Sequence, residues 1–148
     1  DESHLQQIEG LLRRKTVRYT QTTPERARDA ECLIIECFGL LSSIYHYATV
    51  TYVGGGFGVG IHNVLEAAVW GKPVIFGPNN QHFQEAQGLK ASGGGFEIRN
   101  EEDFARLMRQ FDDDSAFLDK SSQAAGAYVK GLCGATDAIM REIGPHSL

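Results

Sequence analysis

The segment 49–66 constrains the fold of this chain more than any other stretch. It reads TVTYVGGGFGVGIHNVLE, a β-branched run followed by five glycines within seven residues. Glycine adopts positive φ without strain and lets a neighbouring backbone or a ligand approach closely. Because an amphipathic helical pattern follows from Ile61 to Trp70, the segment predicts a strand, a glycine-rich turn and a helix. Backbone amides and a helix N-terminus in this arrangement favour a small anionic ligand.

Strand patterns alternate with helix patterns along the rest of the chain. The strands are nearly continuous in apolar residues, which indicates a sheet buried on both faces. We therefore predict an α/β fold, a Rossmann-like parallel sheet with helices on both faces. Ligands of such sheets bind beyond the carboxyl ends of the strands. We predict strands at 16–20, 32–37, 49–53, 73–76 and 96–98, a surface loop at 21–30, and helices at 4–14, 40–48, 61–70, 83–92, 101–111 and 115–143, the last with a break near 131–134.

Composition and charge exclude several classes of function. With 148 residues, 42% of them apolar, the chain is long enough for one globular core. The net charge of −5 argues against a general nucleic-acid binder, which needs a basic surface. No apolar run approaches the roughly 20 residues of a membrane span. The five histidines lack metal-ligand spacing and the three cysteines give no disulfide framework, so we predict no metal site and free, buried thiols.

The glycine cluster does not match two well-known phosphate-binding loops. In the dinucleotide fingerprint the third glycine would fall at Val59, and no acidic residue follows at the required distance. No Gly-Lys-Ser/Thr occurs either, which argues against a Walker A loop. A flexible strand-to-helix connection is the alternative interpretation, although five glycines carry a backbone-entropy cost that a plain connection does not need.

Asn63 and Glu66 lie three residues apart and therefore share one face of the predicted helix. Asn63 is near the helix N-terminus, where free amides favour a phosphate. A carboxylate one turn later can accept two hydrogen bonds from a ribose diol. The alternative is a capping box, with Asn63 as N-cap and Glu66 at N3. The two interpretations are compatible in part.

Two further turns follow strands and therefore lie at the same edge of the predicted sheet. In the segment 36–40, Gly39 would let backbone amides approach a flat ring, or would simply permit the turn. In the segment 77–83, amides could reach sugar hydroxyls and His82 could contact a phosphate, but a turn with incidental polar residues fits equally well. Trp70 and Tyr52 are predicted as core residues.

The stretch YVGGGFGVGIHNVLEAA, followed by GKPVIFGPN, resembles the donor half of bacterial 3-deoxy-D-manno-octulosonic acid (Kdo) transferases. The upstream FGLLSSIY, residues 38–45, also fits, and the similarity runs from the first helix to about residue 130. The combination of glycine cluster, His-Asn-x-x-Glu and Gly-x-Pro-Val is quite specific. The helix glutamate and Gly-x-Pro alone would indicate only a GT-B glycosyltransferase or a sugar-nucleotide epimerase.

The resemblance implies a GT-B protein with two Rossmann-like domains, in which residues 1–148 form a single, partial donor-binding domain. It implies a CMP-Kdo donor and an inverting transfer that uses neither a metal nor a cofactor. The segment 38–40 would contact CMP mainly through its backbone, and Glu66 would bind the ribose. The predicted donor-binding residues are Phe38, Gly39, Leu40, Gly56, Gly60, Asn63, Val64, Leu65 and Glu66.

The resemblance also implies what the chain lacks. The chain starts at Asp1 within a helical pattern, so we interpret it as a piece of a longer protein. The general base, a glutamate, and the site for the lipid A precursor would lie in the missing N-terminal domain, so no catalytic residue is expected here. A Pro-basic pair that contacts the donor and the early, central strands would be missing too. Exposed sheet edges are therefore expected, and a second copy is one way to cover them.

The expected location of the parent protein is the cytoplasmic face of the bacterial inner membrane. The parent protein would associate with the membrane only through the missing part. The chain itself is expected to be soluble, to lack glycosyl-transfer activity and not to bind nucleic acid. Two alternatives stay open from the residues alone. One is a sugar-nucleotide epimerase of the same architecture, and the other is a non-catalytic nucleotide-binding module.

Overall fold

The computed structural model describes residues 1–143, which divide into two compact units, 1–41 and the part from Ser42 onward. In the first unit, strands β1 and β2 pair in parallel, with Val17 opposite Leu33. The prediction of a single donor-binding domain stays a prediction. The elements of this unit are α1 (Glu2–Leu11), β1 (Thr16–Arg18), a 3-10 turn (Tyr19–Gln21), α2 (Pro24–Arg28) and β2 (Cys32–Ile34).

Helix α2 lies in the segment predicted as a loop, so that prediction is wrong. The Thr23 hydroxyl accepts a hydrogen bond from the Arg26 amide at 3.4 Å, and Pro24 occupies the first helical turn. Threonine at the N-cap followed by proline is a helix-start signal. The signal was present in the sequence, and the polar composition of the segment obscured it.

A buried arginine joins α1 to β1. The Arg18 guanidinium is 7% exposed and bonds to Glu2 and Glu9, each at 2.8 Å. Burying a charge is costly unless it is paired and hydrogen-bonded. The two carboxylates therefore account for how a cation can lie between a helix and a two-stranded sheet.

The second unit contains a three-stranded parallel sheet in the order β3-β4-β5. Tyr52, Ile75 and Phe96 are aligned across it. Helix α3 (Leu41–Ile44) begins at the last residue of the first unit, and a 3-10 turn (Tyr45–Tyr47) follows it. The remaining elements are β3 (Thr51–Val53), α4 (Leu65–Ala68), β4 (Val74–Phe76), α5 (Gln84–Ser92), β5 (Gly95–Glu97), α6 (Glu101–Asp113) and α7 (Ser115–Ile143).

Both faces of this sheet are covered. Val74 and Phe76 of β4 pack against alanines and leucine from α4, α5 and α7, and both are fully buried. Ile75 points to the opposite face, where it packs with Ile98 and Phe111. Alternate residues of a strand face opposite sides, so a strand buried at all three positions needs a layer on each side. The predicted fold class, a parallel α/β sheet flanked by helices, is confirmed.

Two further element predictions and the predicted burial of two aromatic residues are wrong. The helix predicted at 61–70 is only Leu65–Ala68, because residues before it are held in the preceding loop by bonds such as His62 N–H to the Gly54 carbonyl. Helix α7 runs unbroken through Gly131 and Gly134, since an exposed helical glycine costs only about 1 kcal/mol. Tyr52 and Trp70 are 47% and 40% exposed rather than buried, and Tyr52 lies on the edge strand of its sheet.

The bounds predicted for α5 (83–92) and α6 (101–111) agree with the structure to within two residues. Asn100 caps α6 by accepting a hydrogen bond from the Asp103 amide at 2.8 Å. Gly93 ends α5 in the left-handed conformation, at φ +93°. Both ends depend on local interactions of one or two residues.

The three cysteines are free, as predicted. Cys32 and Cys37 are half-buried and Cys133 is exposed, so the prediction of buried thiols is wrong.

Candidate functional site

The glycine loop, residues 54–60, follows β3 at the carboxyl edge of the three-stranded sheet. The Gly58 and Gly60 amides donate to the Gly55 carbonyl at 3.0 and 3.2 Å. Gly55 and Gly60 have φ of +91° and +148°, backbone conformations that residues with a side chain rarely adopt. The loop is therefore a turn closed by its own hydrogen bonds.

A second loop, residues 77–83, follows β4 and packs directly on the glycine loop. The Asn79 amide donates to the Gly56 carbonyl at 2.8 Å, and the Asn79 side chain donates to the Gly58 carbonyl. A Cβ on Gly56 would lie 2.5 Å from the Gly77 nitrogen, and a Cβ on Gly77 would lie 2.5 Å from the Gly56 carbonyl carbon. The close approach that glycine permits at these positions is thus used by a second backbone. Contact of Gly56 or Gly60 with a ligand stays a prediction.

Three of the predicted donor-binding residues line one cleft. Asn63, Val64 and Leu65 form part of its wall, and its volume is about 360 Å³. The Asn63 carboxamide oxygen accepts from the Leu65 amide at 3.0 Å. Val64, without a side-chain cap, occupies the N-cap position, so the capping box proposed for Asn63 and Glu66 does not form. The remaining lining residues are Ile61, His62, Phe83 and Glu85.

Glu66 lies in the first turn of α4 and is half-buried. Within residues 1–143 its carboxylate has no hydrogen bond or ion pair, so its oxygens stay available as acceptors. Burial, and then the charge of Glu66, raise the pKa of the Tyr45 hydroxyl, which places the carboxylate near that ring. Because α4 has only four residues, the helix dipole expected from a helix over 61–70 is much reduced.

The segment Phe38–Leu40 belongs to the first unit. Phe38 is fully exposed, and Gly39 has φ +90° with no atom within 4 Å of where a Cβ would lie. The positive φ explains the glycine, and the open surroundings leave its backbone accessible. Leu40 is half-buried. The role of these three residues in binding CMP stays a prediction.

Glu36, just before that segment, has an unusual environment that sequence reasoning missed. One carboxylate oxygen accepts from the Thr20 hydroxyl and from the Thr20 amide at 3.3 Å, and the hydroxyl bond is the main reason why the pKa of Glu36 is lowered. The other oxygen is buried without a partner among the described residues. An acidic residue after a strand gives no sequence signal for such burial.

A buried polar network lies behind the second loop, and it too was missed. Asn80 is fully buried; its side-chain nitrogen donates to the Gly77 carbonyl at 2.9 Å and to a Glu97 carboxylate oxygen at 2.8 Å. Gln87 donates to the Asn80 carboxamide oxygen at 2.8 Å. Lys90 and Arg99 each bond to Glu97 at 3.2 Å. His82, which lies in the same loop, is exposed.

We expect the protein to lose stability at acid pH when the Glu97 carboxylate becomes protonated. The hydrogen bond from Asn80 is the main cause of its lowered pKa, with help from Lys90 and Arg99 and against the effect of partial burial. A carboxylate with a lowered folded-state pKa stabilises the fold above its unfolded-state value, here about 4.5, and this contribution is lost as the pH falls through the folded value. In Glu97→Gln this contribution is absent at every pH, so the melting temperature should fall less steeply than in the wild type as the pH drops below about 4.5.

Thermal unfolding followed by circular dichroism over a series of acid pH values measures this slope. The exposed Glu102→Gln serves as the control, because Glu102 lies in the first turn of α6 outside the network. Equal slopes for the wild type and Glu97→Gln would contradict the assignment.

The described part of the chain has neither a cluster of metal ligands nor a helix suited to span a membrane. No group of three His, Cys, Asp or Glu side chains among residues 1–143 is arranged to hold a metal ion. Over the same residues, no helix has both the length and the apolar character needed to cross a membrane.

Comparison with known proteins finds similarity to several 3-deoxy-D-manno-octulosonic acid transferases. No protein-family model matches the chain. The 3-deoxy-D-manno-octulosonic acid transferase of Aquifex aeolicus (strain VF5) is 29% identical over 109 residues, which are 70% of this chain and 31% of that protein. The protein of the same name from Chlamydophila psittaci is 32% identical over 93 residues, 60% of this chain and 22% of that one. The chain thus spans less than a third of the length of these curated relatives.

A glycosyltransferase of another kind is similar too. The bifunctional glycosyltransferase/methyltransferase of Fusobacterium nucleatum is 27% identical over 116 residues, 74% of this chain and 18% of that protein. The relatives therefore have glycosyl transfer in common.

Among solved structures, the chain is similar to the C-terminal CMP-Kdo binding domain of WaaA from Acinetobacter baumannii. The TM-score is 0.73 with 18% sequence identity, covering 86% of this chain and 67% of that one. At this identity the likeness establishes the fold alone. The resemblance to Kdo transferases inferred from the motifs is confirmed by the sequence matches, and the chain has the same α/β fold as this C-terminal domain.

Proposed function

We propose that this chain is the donor-binding part of a glycosyltransferase that moves Kdo from CMP-Kdo to a lipid A precursor. The similarity to Kdo transferases over 70% of the chain supports the family of reactions. The observation that carries the proposal is Glu66, a half-buried carboxylate with no bonding partner among the described residues, immediately after the segment 63–65 that lines a cleft. A carboxylate in this state is suited to accept two hydrogen bonds from a ribose diol.

The cleft would receive the phosphate of the donor. The amides of Asn63 and Val64 in its wall donate to no group among the described residues, whereas the Leu65 amide is bonded to the Asn63 side chain. Backbone amides without a partner stabilise the charge that grows on a departing phosphate. Of the side chains that line it, only His62 can become cationic. The resemblance implies a further donor contact, a Pro-basic pair, which would lie outside residues 1–148. For Phe38, Gly39 and Leu40 the resemblance alone supports a proposed role, in which their backbone would contact CMP.

The finer chemistry belongs to the whole protein. We propose an inverting transfer, in which the acceptor hydroxyl attacks the anomeric carbon of Kdo from the face opposite CMP and CMP leaves without help from a metal. A glutamate in the unmatched portion of the relatives would take the acceptor proton, and the same portion would bind the lipid A precursor at the cytoplasmic face of the inner membrane. The chain by itself would bind the nucleotide and would not catalyse transfer.

Calorimetric titration of the chain with CMP, UMP and UDP tests this proposal. We expect CMP to bind most tightly. Preference for a uridine nucleotide would instead favour a sugar-nucleotide epimerase of the same architecture. If CMP binds but the full-length protein transfers no Kdo to a lipid A precursor, the chain is a non-catalytic nucleotide-binding module.

Glu66→Ala is expected to weaken CMP binding by about 1–3 kcal/mol, because charged hydrogen bonds to the ribose are lost. The loss should be much smaller for 2′-deoxy-CMP, which has only one of the two hydroxyls. Calorimetry with both ligands measures the difference. An unchanged CMP affinity would reject the role of Glu66.

A second measurement checks the position of the Glu66 carboxylate without any ligand. Because its charge raises the pKa of Tyr45, Glu66→Gln should lower that pKa in a spectroscopic titration of the tyrosines. This control separates a misplaced carboxylate from a correctly placed one that does not bind ribose.

A further inference from the structure

Asn80 is a fully buried side chain whose amide both donates and accepts hydrogen bonds. Its nitrogen donates to the Gly77 carbonyl and to Glu97, and its oxygen accepts from Gln87, with all three distances between 2.8 and 2.9 Å. A buried amide is costly unless it is hydrogen-bonded. Such a fully paired group at the surface end of a strand fixes the local backbone more firmly than a turn alone requires.

The outer end of this network rests on regular structure. Glu97 belongs to β5, and it is bonded to Lys90 of α5 as well as to Arg99. Glu97 is 18% exposed, so its bond to Asn80 is largely shielded from water. Strand β5 and helix α5 therefore hold Asn80 from one side.

The other side of the second loop grips the glycine loop. Asn79, the neighbour of Asn80, donates through its backbone and its side chain to two carbonyls of the glycine loop. Gly77, whose carbonyl Asn80 binds, is in backbone contact with Gly56. A displacement of Gly77 or Asn79 would be transmitted to the glycine loop, because no side-chain layer separates the two backbones.

We propose that Asn80, held by Glu97, is the positioning residue of the glycine loop, and that it sets the affinity of the site for the donor nucleotide. Asn80 touches no ligand in this scheme and acts through Gly77 and Asn79. The statement about affinity rests on the function proposed above, whereas the statement about loop conformation does not.

Asn80→Ala tests the proposal. We expect the dissociation constant for CMP to rise about tenfold or more, as loss of buried hydrogen bonds predicts, and the amide resonances of residues 54–60 to shift even without CMP. The control is Phe111→Leu, a core change on the opposite face of the sheet that lowers stability without touching either loop. Both chains are compared at a temperature where circular dichroism shows them folded.

A second pair of variants keeps the test decisive if Asn80→Ala does not fold. Glu97→Ala removes the acceptor of the Asn80 amide and should shift the same resonances. Glu97→Gln keeps a side-chain oxygen for Asn80 and should leave them in place, a rescue that a merely stabilising ion pair would not give.

The outcomes separate the two proposals. If the wild-type chain binds no CMP, the proposed function fails, and the loop resonances alone decide the role of Asn80. If the loop resonances of Asn80→Ala, or of Glu97→Ala where the former does not fold, move no more than those of Phe111→Leu, the positioning role is overturned. Shifted resonances with an unchanged CMP affinity would overturn the part that concerns the nucleotide.

Discussion

Gly94→Ala is expected to lower the free energy of unfolding by about 3 kcal/mol, at the upper end of the usual cost of overpacking. Gly94 is buried between α5 and β5, and its amide donates to the Leu89 carbonyl at 3.0 Å. A Cβ here would lie 2.5 Å from the Ala125 nitrogen and 2.6 Å from its Cα. These are backbone atoms in the middle of α7, so the helix as a whole would have to move. Urea unfolding followed by circular dichroism measures the change.

Gly131→Ala is the matched control. Gly131 lies in α7, the helix against which Gly94 packs, and no atom lies within 4 Å of where its Cβ would be. Alanine is favoured over glycine in a helix by about 1 kcal/mol, so this variant should be slightly more stable than the wild type. A Gly94→Ala chain as stable as the wild type would contradict the packing of α7 against Gly94.

Gly56→Ala is expected to weaken CMP binding roughly thirtyfold or more, equivalent to about 2 kcal/mol. The added Cβ would lie within 2.5 to 2.9 Å of three backbone atoms of Gly77. Since neither backbone can retreat without breaking the Asn79 bonds to the glycine loop, the loop itself has to change shape. Calorimetry with CMP, at a temperature where the variant is folded, measures the loss.

Gly58→Ala controls for the mere addition of a methyl group to the same loop. Its Cβ would be 3.7 Å from the Gly55 carbonyl oxygen, an ordinary contact, so we expect less than about a threefold change in affinity. If both variants bound CMP as the wild type does, the contact between the two loops would not govern the site.

The sequence predicted best those features that are decided by neighbouring residues. The apolar run of β4 and the start of α6 at Glu101 depend on a few adjacent positions, and the structure has both. Helix α4 is the opposite case. The pattern from Ile61 onward is helical, but the carbonyl of Gly54 binds the His62 amide and keeps the chain in the loop as far as Val64. Contacts outside the helix outweighed local propensity there.

The candidate site was predictable in its location and not in its supporting contacts. The carboxyl edge of a parallel sheet and the glycine cluster led to residues 54–66 directly. The contact of Gly56 with Gly77 joins positions 21 residues apart, and that of Asn80 with Glu97 joins positions 17 apart. In one sequence, a buried asparagine in a turn looks the same as an exposed one.

The contact between Gly56 and Gly77 has a consequence for how such a sequence can evolve. A side chain at either position would collide with main-chain atoms at the other, and changing the second glycine as well would add bulk rather than relieve it. A substitution at one of these glycines therefore cannot be compensated by a second substitution at the other. In homologues that share this contact, sequence variation should accumulate at the outward-facing positions of the two loops, while glycine is kept at both of these positions.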